Sequence, residues 1–309
     1  MKIVFMGTPD FAASALEALV QAGHEITLVV TQPDKPKGRS KELMPSPVKV
    51  CALKHNLPVF QPVRIKKPEA IAELKNYEAD VYVVAAFGQI LSQEILDMPR
   101  YGSINIHASL LPKYRGASPI QNVIVDGEEK TGVTIMQMDA GIDTGDMLYK
   151  KEVIIEDTDN FETLHDKLAA VGAEAIVEAL PLLEAGKLVP EKQNEAESSH
   201  VTMITKEMGK LDFTKEAVVL DRLIRGFNPW PSAFTFYKGK QLKVWEAHVE
   251  NADADAACGE IVEVTKNEIK VCTGKGLLCI TSLQLEGKKR MSTHDFLLGV
   301  KVAAGEMLG

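Results

Sequence analysis

Disulfide chemistry is the first thing this sequence is short of. Four cysteines stand among 309 residues (Cys51, Cys258, Cys272 and Cys279), with no C-x-x-C pair and no dense, even framework. That excludes a disulfide scaffold and reads as reduced thiols in a cytoplasmic protein. Cys and His also lack zinc-ligand spacing, so no metal is expected. No apolar run approaches the ~18 residues that a membrane span needs. Met1-Lys2 leads into a four-residue apolar run and then Gly7, without the h-region of a secretory signal. Positive charge is in deficit too: 35 Lys and Arg face 43 Asp and Glu, and a net charge of −8 excludes a protein that coats nucleic acid generally. The deficit is uneven. Residues 1–204 carry 20 basic against 29 acidic side chains, whereas residues 205–309 carry 15 against 14.

What is present fits two domains, on a prior of ~150 residues each. The front alternates apolar strand-like runs (3–6, 26–30, 81–86, 104–107) with helix candidates at 48–55, 68–76 and 118–125. A further helix covers 11–21 and stops at Gly23, a natural residue just past a helix end. Such alternation, with continuously apolar strands, predicts a Rossmann-like α/β domain: a parallel sheet covered on both faces. A longer helix at about 160–184, with Asp159 and Glu162 spaced as a capping box, closes the domain near residue 189. Residues 190–205 are polar and uneven and read as a linker on the surface. From 206 to 309 one helix precedes about five short strands at ~8–12-residue spacing, the pattern of a small OB-like β-barrel.

Three segments carry chemistry. Gly7-Thr-Pro-Asp-Phe11 occupies the first strand-to-helix turn, where dinucleotide enzymes place G-x-G-x-x-G. It has one glycine, and Pro9 removes a backbone donor, which argues against a pyrophosphate cradle; a plain turn and a substrate contact are equally compatible with it. Along Ser103-Ile-Asn-Ile-His107 the two-residue period of a strand sends Ile104 and Ile106 one way and Asn105 and His107 the other. Two polar side chains thus share the end of a buried strand, where open α/β sheets bind ligands. On residue types alone, a hydrogen-bonded core histidine is as good a reading. Asp139, Asp143 and Asp146 lie in a glycine-containing loop whose spacing does not match an EF-hand, so it is a solvated turn or a carboxylate poised to orient an imidazole.

The ordered set Asn105-Ile-His107, Ser109-Leu-Leu-Pro112, Arg115-Gly-Ala117 and Asp139-Ala-Gly-Ile-Asp143-Thr-Gly-Asp146 resembles the 10-formyltetrahydrofolate-dependent formyltransferases. With Thr31-Gln-Pro-Asp34, Leu43-Met-Pro-Ser-Pro47 and Phe227-Asn-Pro-Trp-Pro231, the resemblance to the tRNA-acting members spans essentially the whole chain. It implies that Asn105, His107 and Asp143 are catalytic. It also implies a folate co-substrate, 10-formyltetrahydrofolate, whose pterin is lined by Phe87, Gly88, Gln89, Ile90, Leu91, Ser109, Leu110, Leu111, Pro112 and the backbone from Asp139 to Asp143. Without the resemblance, 87–91 is an ordinary strand-end loop.

A long Pro-rich loop at 32–49 holds Lys35, Lys37, Arg39, Lys41 and Lys49 against Asp34 and Glu42, a basic excess inside an acidic domain. Composition alone allows a solvated loop; a local basic excess also fits a phosphate backbone. The resemblance implies that this loop enters the acceptor stem of methionyl initiator tRNA, with Arg39 as its key arginine. In the second domain Lys206, Lys210, Arg222, Arg225, Lys243 and the run Lys288, Lys289, Arg290 are expected to receive the tRNA. Asn228 to Pro231 is expected to shape a rigid turn. Where the family reads Lys-Ile-Thr-Lys-Glu-Asp-Gly, this chain has Met203 and Met208, one charge of each sign fewer.

The reading is therefore a cytoplasmic, monomeric formyltransferase that places a formyl group on the amino group of methionyl initiator tRNA. Its rivals are a formyltransferase for a small amine such as glycinamide ribonucleotide or an amino sugar, a nicotinamide dehydrogenase, and a tRNA-binding protein without catalysis. The loop and barrel disfavour the first, and the missing glycine fingerprint disfavours the second.

Overall fold

In the computed structural model of the protein, residues 1–37 and 42–309 are described. Four consecutive side chains, Ile3 to Met6, are fully buried. The cause is position: β1 (Lys2–Gly7) lies inside a sheet, pairing in parallel with β2 (Glu25–Val30) and, further along the chain, with β6 (Val81–Ala85). Between β1 and β2 runs α1 (Asp10–Gln21), which ends where Gly23 takes a φ of +80°. Gly7 is required by close packing, because a Cβ there would stand 2.6 Å from that of Ala12 and 2.8 Å from the Ala85 carbonyl oxygen.

After β2 come the hairpin strands β3 (Lys35–Lys37) and β4 (Glu42–Met44), which pair antiparallel at the base of the basic loop. The next helix, α2 (Pro47–Lys54), starts on an N-cap bond from the Lys49 amide to Ser46 Oγ, with proline at its first position. Then follow β5 (Val59–Phe60), α3 (Pro68–Leu74) and, after β6, α4 (Gln93–Leu96) and β7 (Ser103–His107). A two-residue strand β8 (Arg115–Gly116) and α5 (Pro119–Asp126) lead to β9 (Lys130–Gln137) and β10 (Met147–Ile154). The order across the sheet is β10-β9-β7-β6-β1-β2-β5. Five strands are parallel, as the alternation predicts, while at one edge β9 pairs antiparallel with β7 and β10 pairs antiparallel with β9.

The long helix α6 (Phe161–Glu184) forms where expected. Its capping box is one residue later than the sequence suggests: Thr163 N–H donates to Asn160 Oδ1, and Asn160 N–H donates to Thr163 Oγ1, both at 3.0 Å. Asp159 instead accepts from the Glu156 amide and the Thr163 hydroxyl. Three cap-competent side chains in sequence left that choice to geometry.

Past residue 189 the chain departs from the expected linker. It forms β11 (His200–Val201), which pairs in parallel with β8. The chain divides into two compact units, and residues 190–201 belong to the first, made of Met1–Pro119, Lys130–Ile154 and His165–Val201. The second takes Thr202–Gly309 together with Ile120–Glu129 and Ile155–Leu164, so most of α5 groups with it rather than with the front.

The second unit contains α7 (Ala217–Gly226), whose final glycine lets it approach α5: a Cβ on Gly226 would lie 2.8 Å from Val125 Cγ2. Its antiparallel sheet is β12 (Ala233–Tyr237), β13 (Lys240–Glu250), β14 (Ile261–Val264), β15 (Ile269–Cys272), β16 (Leu277–Leu285) and β17 (Met291–Ser292), followed by α8 (Thr293–Gly299). The order is β12-β13-β16-β15-β14, with β17 on β16. The C-terminal residues join its two ends: Leu308 bridges Tyr237, and Met307 bridges Glu260. Val244, Ile261, Val271, Leu278, Ile280 and Leu283 fill the interior.

Candidate active site

Ile104 and Ile106 of β7 are buried, and a Cβ on Gly172 of α6 would lie 3.2 Å from Ile106. The strand's two-residue period therefore sets Asn105 and His107 on the other face, 9% and 6% exposed. Nothing among the described residues hydrogen-bonds the Asn105 side-chain amide. Its amide atoms are not among the fully buried unpartnered ones, so they stay open to whatever binds beside the strand.

His107 is fixed from both sides. Its Nε2 donates to the Tyr114 carbonyl oxygen at 3.0 Å, which settles where that proton sits because a carbonyl only accepts. Its Nδ1 faces Asp143 Oδ2 at 3.6 Å. The chain delivers Asp143 by turning back after β9: Gln137 N–H donates to the Asp146 carbonyl, and Asp139 Oδ1 accepts from Gly141 N–H and Thr144 Oγ1. Asp143 itself has φ +55°, and its Oδ2 also accepts from the Gly116 amide at 2.9 Å. An unpartnered amide, an oriented imidazole and a carboxylate are what acyl transfer through a tetrahedral oxyanion needs.

Much of what holds this geometry is invisible in the sequence. Arg115 is 1% exposed; its guanidinium forms a two-bond pair with Glu195 and donates from Nε to Gln193 Oε1. The hydrogen bonds from Arg115, helped by its charge, hold the Glu195 carboxyl below its usual range. Tyr114 N–H donates to Ser199 Oγ, and Arg115 N–H to the Ser199 carbonyl. Gly116 sits at φ +108° with the Val201 carbonyl where a Cβ would go. The residues expected to be a linker thus brace the loops around Gly116 and Asp143.

The expected folate residues divide into structural and open groups. Phe87 and Leu91 are buried in the core cluster of β1, β2 and β6. The Phe87 carbonyl accepts from Thr8 Oγ1 and Gln32 Nε2, which accounts for the first turn. Gly88 has φ +81°, and Gln89 spends its side chain on the Ile65 amide and the Pro62 carbonyl. Ser109 is buried with its hydroxyl on the Lys113 carbonyl, Leu111 packs on Met136 and Met147, and the Leu111–Pro112 peptide is cis. Leu110 and Pro112 are half-buried. Ile90 and Ile142 remain exposed, at 63% and 61%.

Of the expected tRNA contacts, Arg39 and Lys41 lie outside the described residues, as does the side chain of Lys37. Lys35, Lys206 and Lys210 are exposed. Arg225 is a correction: it is bound to Asp221 and to the Asp159 carbonyl, so it holds α7 in place. Arg222 packs against Gly127. The sequence reading passed over Trp245, whose ring is flanked by Lys243 at 5.7 Å and Arg290 at 4.9 Å. Met203 and Met208 are both exposed surface side chains. The Asn228–Pro231 turn forms, with Ser232 Oγ on the Pro229 carbonyl.

Glu17, Cys51 and His55 bring ligand-type atoms within 4.8 Å of one another. His55 and Lys54 already hydrogen-bond Glu17, and burial pushes the Cys51 thiol up to about 11, so the group is a packing contact of α1 with α2. Among the described residues no helix is long and apolar enough to cross a membrane.

Known proteins share this plan. Residues 1–180 match the formyl transferase family, and residues 203–301 its C-terminal domain. A methionyl-tRNA formyltransferase of Agathobacter rectalis is 53% identical over 305 residues, covering 99% of this chain and 98% of its own. That of Lachnospira eligens is 52% identical over 314 residues, with both chains fully covered. Among solved structures, an N-formyltransferase from Helicobacter canadensis, in complex with folinic acid and dTDP-3-aminofucose, superposes with a TM-score of 0.68 at 19% identity, covering 94% of this chain and 100% of that one. The methionyl-tRNA formyltransferase of Clostridium thermocellum gives 0.54 at 20% identity, over 82% and 95%. These two structural likenesses speak for the fold. With both family domains in order and half of all positions shared with relatives of the same length, the chain belongs to the formyl transferase family.

Proposed function

We infer that the chain transfers the formyl group of 10-formyltetrahydrofolate to the amino group of methionyl initiator tRNA, giving formyl-methionyl-tRNA for translation initiation. Full-length identity to methionyl-tRNA formyltransferases carries the choice of reaction and acceptor. The unpartnered amide of Asn105 beside the oriented His107–Asp143 pair supports where the reaction runs.

In this reading the acceptor amine attacks the formyl carbon, a new N–C bond forms, and the bond from that carbon to the folate N10 breaks. Asn105 donates its amide N–H to the oxyanion that develops. The Nε2 proton of His107 is committed to Tyr114, so the ring acts through its Nδ1 edge. From there a protonated ring donates to the oxyanion and helps return a proton to N10. Asp143 orients that ring and takes up, directly or through a water, the proton that the amine must lose. The exposed Ile90 and Ile142 and the backbone of the 139–143 loop suit a flat heterocycle with polar edges. Lys35, Lys37, Arg39 and Lys41, with Lys206 and Lys210, contact the tRNA backbone; the protein acts as a cytoplasmic monomer.

The test is incorporation of labelled formyl into charged initiator tRNA. Transfer that disappears after ribonuclease treatment of the acceptor supports the reading. Transfer to a free small amine at the same rate would replace it with the small-amine alternative.

A further inference from the structure

We propose that Gln193 is a positioning residue for formyl transfer: it clamps the loop that carries Asp143 and thereby sets the His107–Asp143 geometry. The proposal rests on the reading of Asp143 as part of the reacting centre.

The clamp is a chain of bonds with one free choice removed at each link. Gln193 Nε2 donates to two carbonyl oxygens of the loop, that of Asp143 at 2.8 Å and that of Gly145 at 2.7 Å. Both hydrogens of one amide nitrogen are thereby spent on two peptide units of the loop, Asp143–Thr144 and Gly145–Asp146. The amide can point this way because its Oε1 accepts from Arg115 Nε at 2.8 Å, which excludes the flipped orientation: a flip would set N–H against N–H and oxygen against two carbonyls. Arg115 in turn is held by Glu195 through both terminal nitrogens, at 3.0 and 2.7 Å. The arginine is 1% exposed and the Glu195 side chain 72% exposed, so the network runs from solvent inward and ends on the Asp143 peptide.

The loop needs such a hold. Asp143 sits at φ +55°, a conformation that a non-glycine residue keeps only when its surroundings impose it. Its carboxylate is tied at one oxygen to the Gly116 amide, while Gln193 fixes the main chain beneath. Main chain and side chain are therefore located by separate partners, and both partners come from segments beside β8 and β11. Without Gln193, the carboxylate keeps its single bond to Gly116 but loses the reference that sets its height relative to His107 Nδ1.

The experiment uses the full-length enzyme with two substitutions of equal length. Gln193→Met removes all three bonds. Gln193→Glu keeps an acceptor for Arg115 but faces two carbonyls with no donor, so it separates the tie to arginine from the clamp on the loop. Both variants are expected to lower kcat about 10- to 10²-fold, the scale for a displaced catalytic group, with KM for Met-tRNA and the folded circular-dichroism spectrum unchanged. Under single-turnover conditions, the same substitutions in an Asp143→Asn background are expected to slow transfer no further, because they act through Asp143. Wild-type kcat in either single variant overturns the proposal, as does a full additional loss in the Asp143→Asn background. A wild-type rate for Asp143→Asn alone removes the catalytic reading of Asp143 itself. A slow Asp143→Asn beside fast Gln193 variants removes only the clamp.

Discussion

His107 Nδ1 and Asp143 Oδ2 stand 3.6 Å apart, wider than a closed hydrogen bond. Catalytic contacts of this kind often tighten only when substrate is bound. Removal of either polar group on β7 is expected to be severe: Asn105→Ala and His107→Ala should each lower kcat by ~10²–10³, the range for losing one oxyanion donor. Steady-state kinetics on purified protein checks this, and near-normal turnover in both would remove the assignment.

Gly116 ties the carboxylate to the brace and sits at φ +108° against the Val201 carbonyl. Gly116→Ala is expected to cost ~1–3 kcal/mol of stability, the scale of a strained backbone position, and to reduce kcat with it. Gly186 makes the matching control: it has φ +64° but open space around its missing Cβ, and Gly186→Ala should lose some stability with kcat intact. Denaturant midpoints and turnover measured side by side separate the two effects. Equal kcat in both variants would deny Gly116 any role in the site.

Arg39→Ala is expected to raise KM for the tRNA substrate while leaving folate affinity as it was. Where several cations meet phosphates, affinity falls steeply with salt. Filter binding of tRNA across a salt series therefore tests the loop together with Lys206 and Lys210. A flat response would count against an electrostatic role for any of them.

Acid stability has a local contributor in Glu17. The His55 hydrogen bond, assisted by Lys54, lowers its carboxyl from 4.5 to about 2 in the folded protein. A carboxyl depressed on folding stabilises fully above its ordinary range, and that stabilisation is lost as pH falls from about 4.5 toward 2. Glu17→Gln should lower stability at neutral pH by no more than ~1 kcal/mol, since the group is partly solvated, and flatten the acid limb of the stability curve. Chemical denaturation at a series of pH values reads both.

Legibility in the sequence followed the range of the interaction that decides each feature. The buried strands and the end of α1 announced themselves within a few residues, through apolar runs and a stop at Gly23. The alternation that put Asn105 and His107 on one face was equally local. The strand β10 was missed because its exposure alternates along an edge rich in Lys and Glu, which reads as loop. Arg115 entered only through the resemblance motif Arg115-Gly-Ala117, and its neighbours in sequence do not signal that it is buried. Its burial depends on Gln193 and Glu195, 78 and 80 residues later, and no local pattern reports a bond of that length.

The brace on the loops around Gly116 and Asp143 comes from a stretch well past the long helix α6. The matched N-terminal family region stops at residue 180, before Gln193, Glu195, Ser199 and β11. A fragment cut there would keep every strand of the main sheet, yet its Arg115 would lose both Gln193 and Glu195. Any graft or fusion made at the earlier boundary would therefore carry Asn105, His107 and Asp143 without the residues that hold the loops around them.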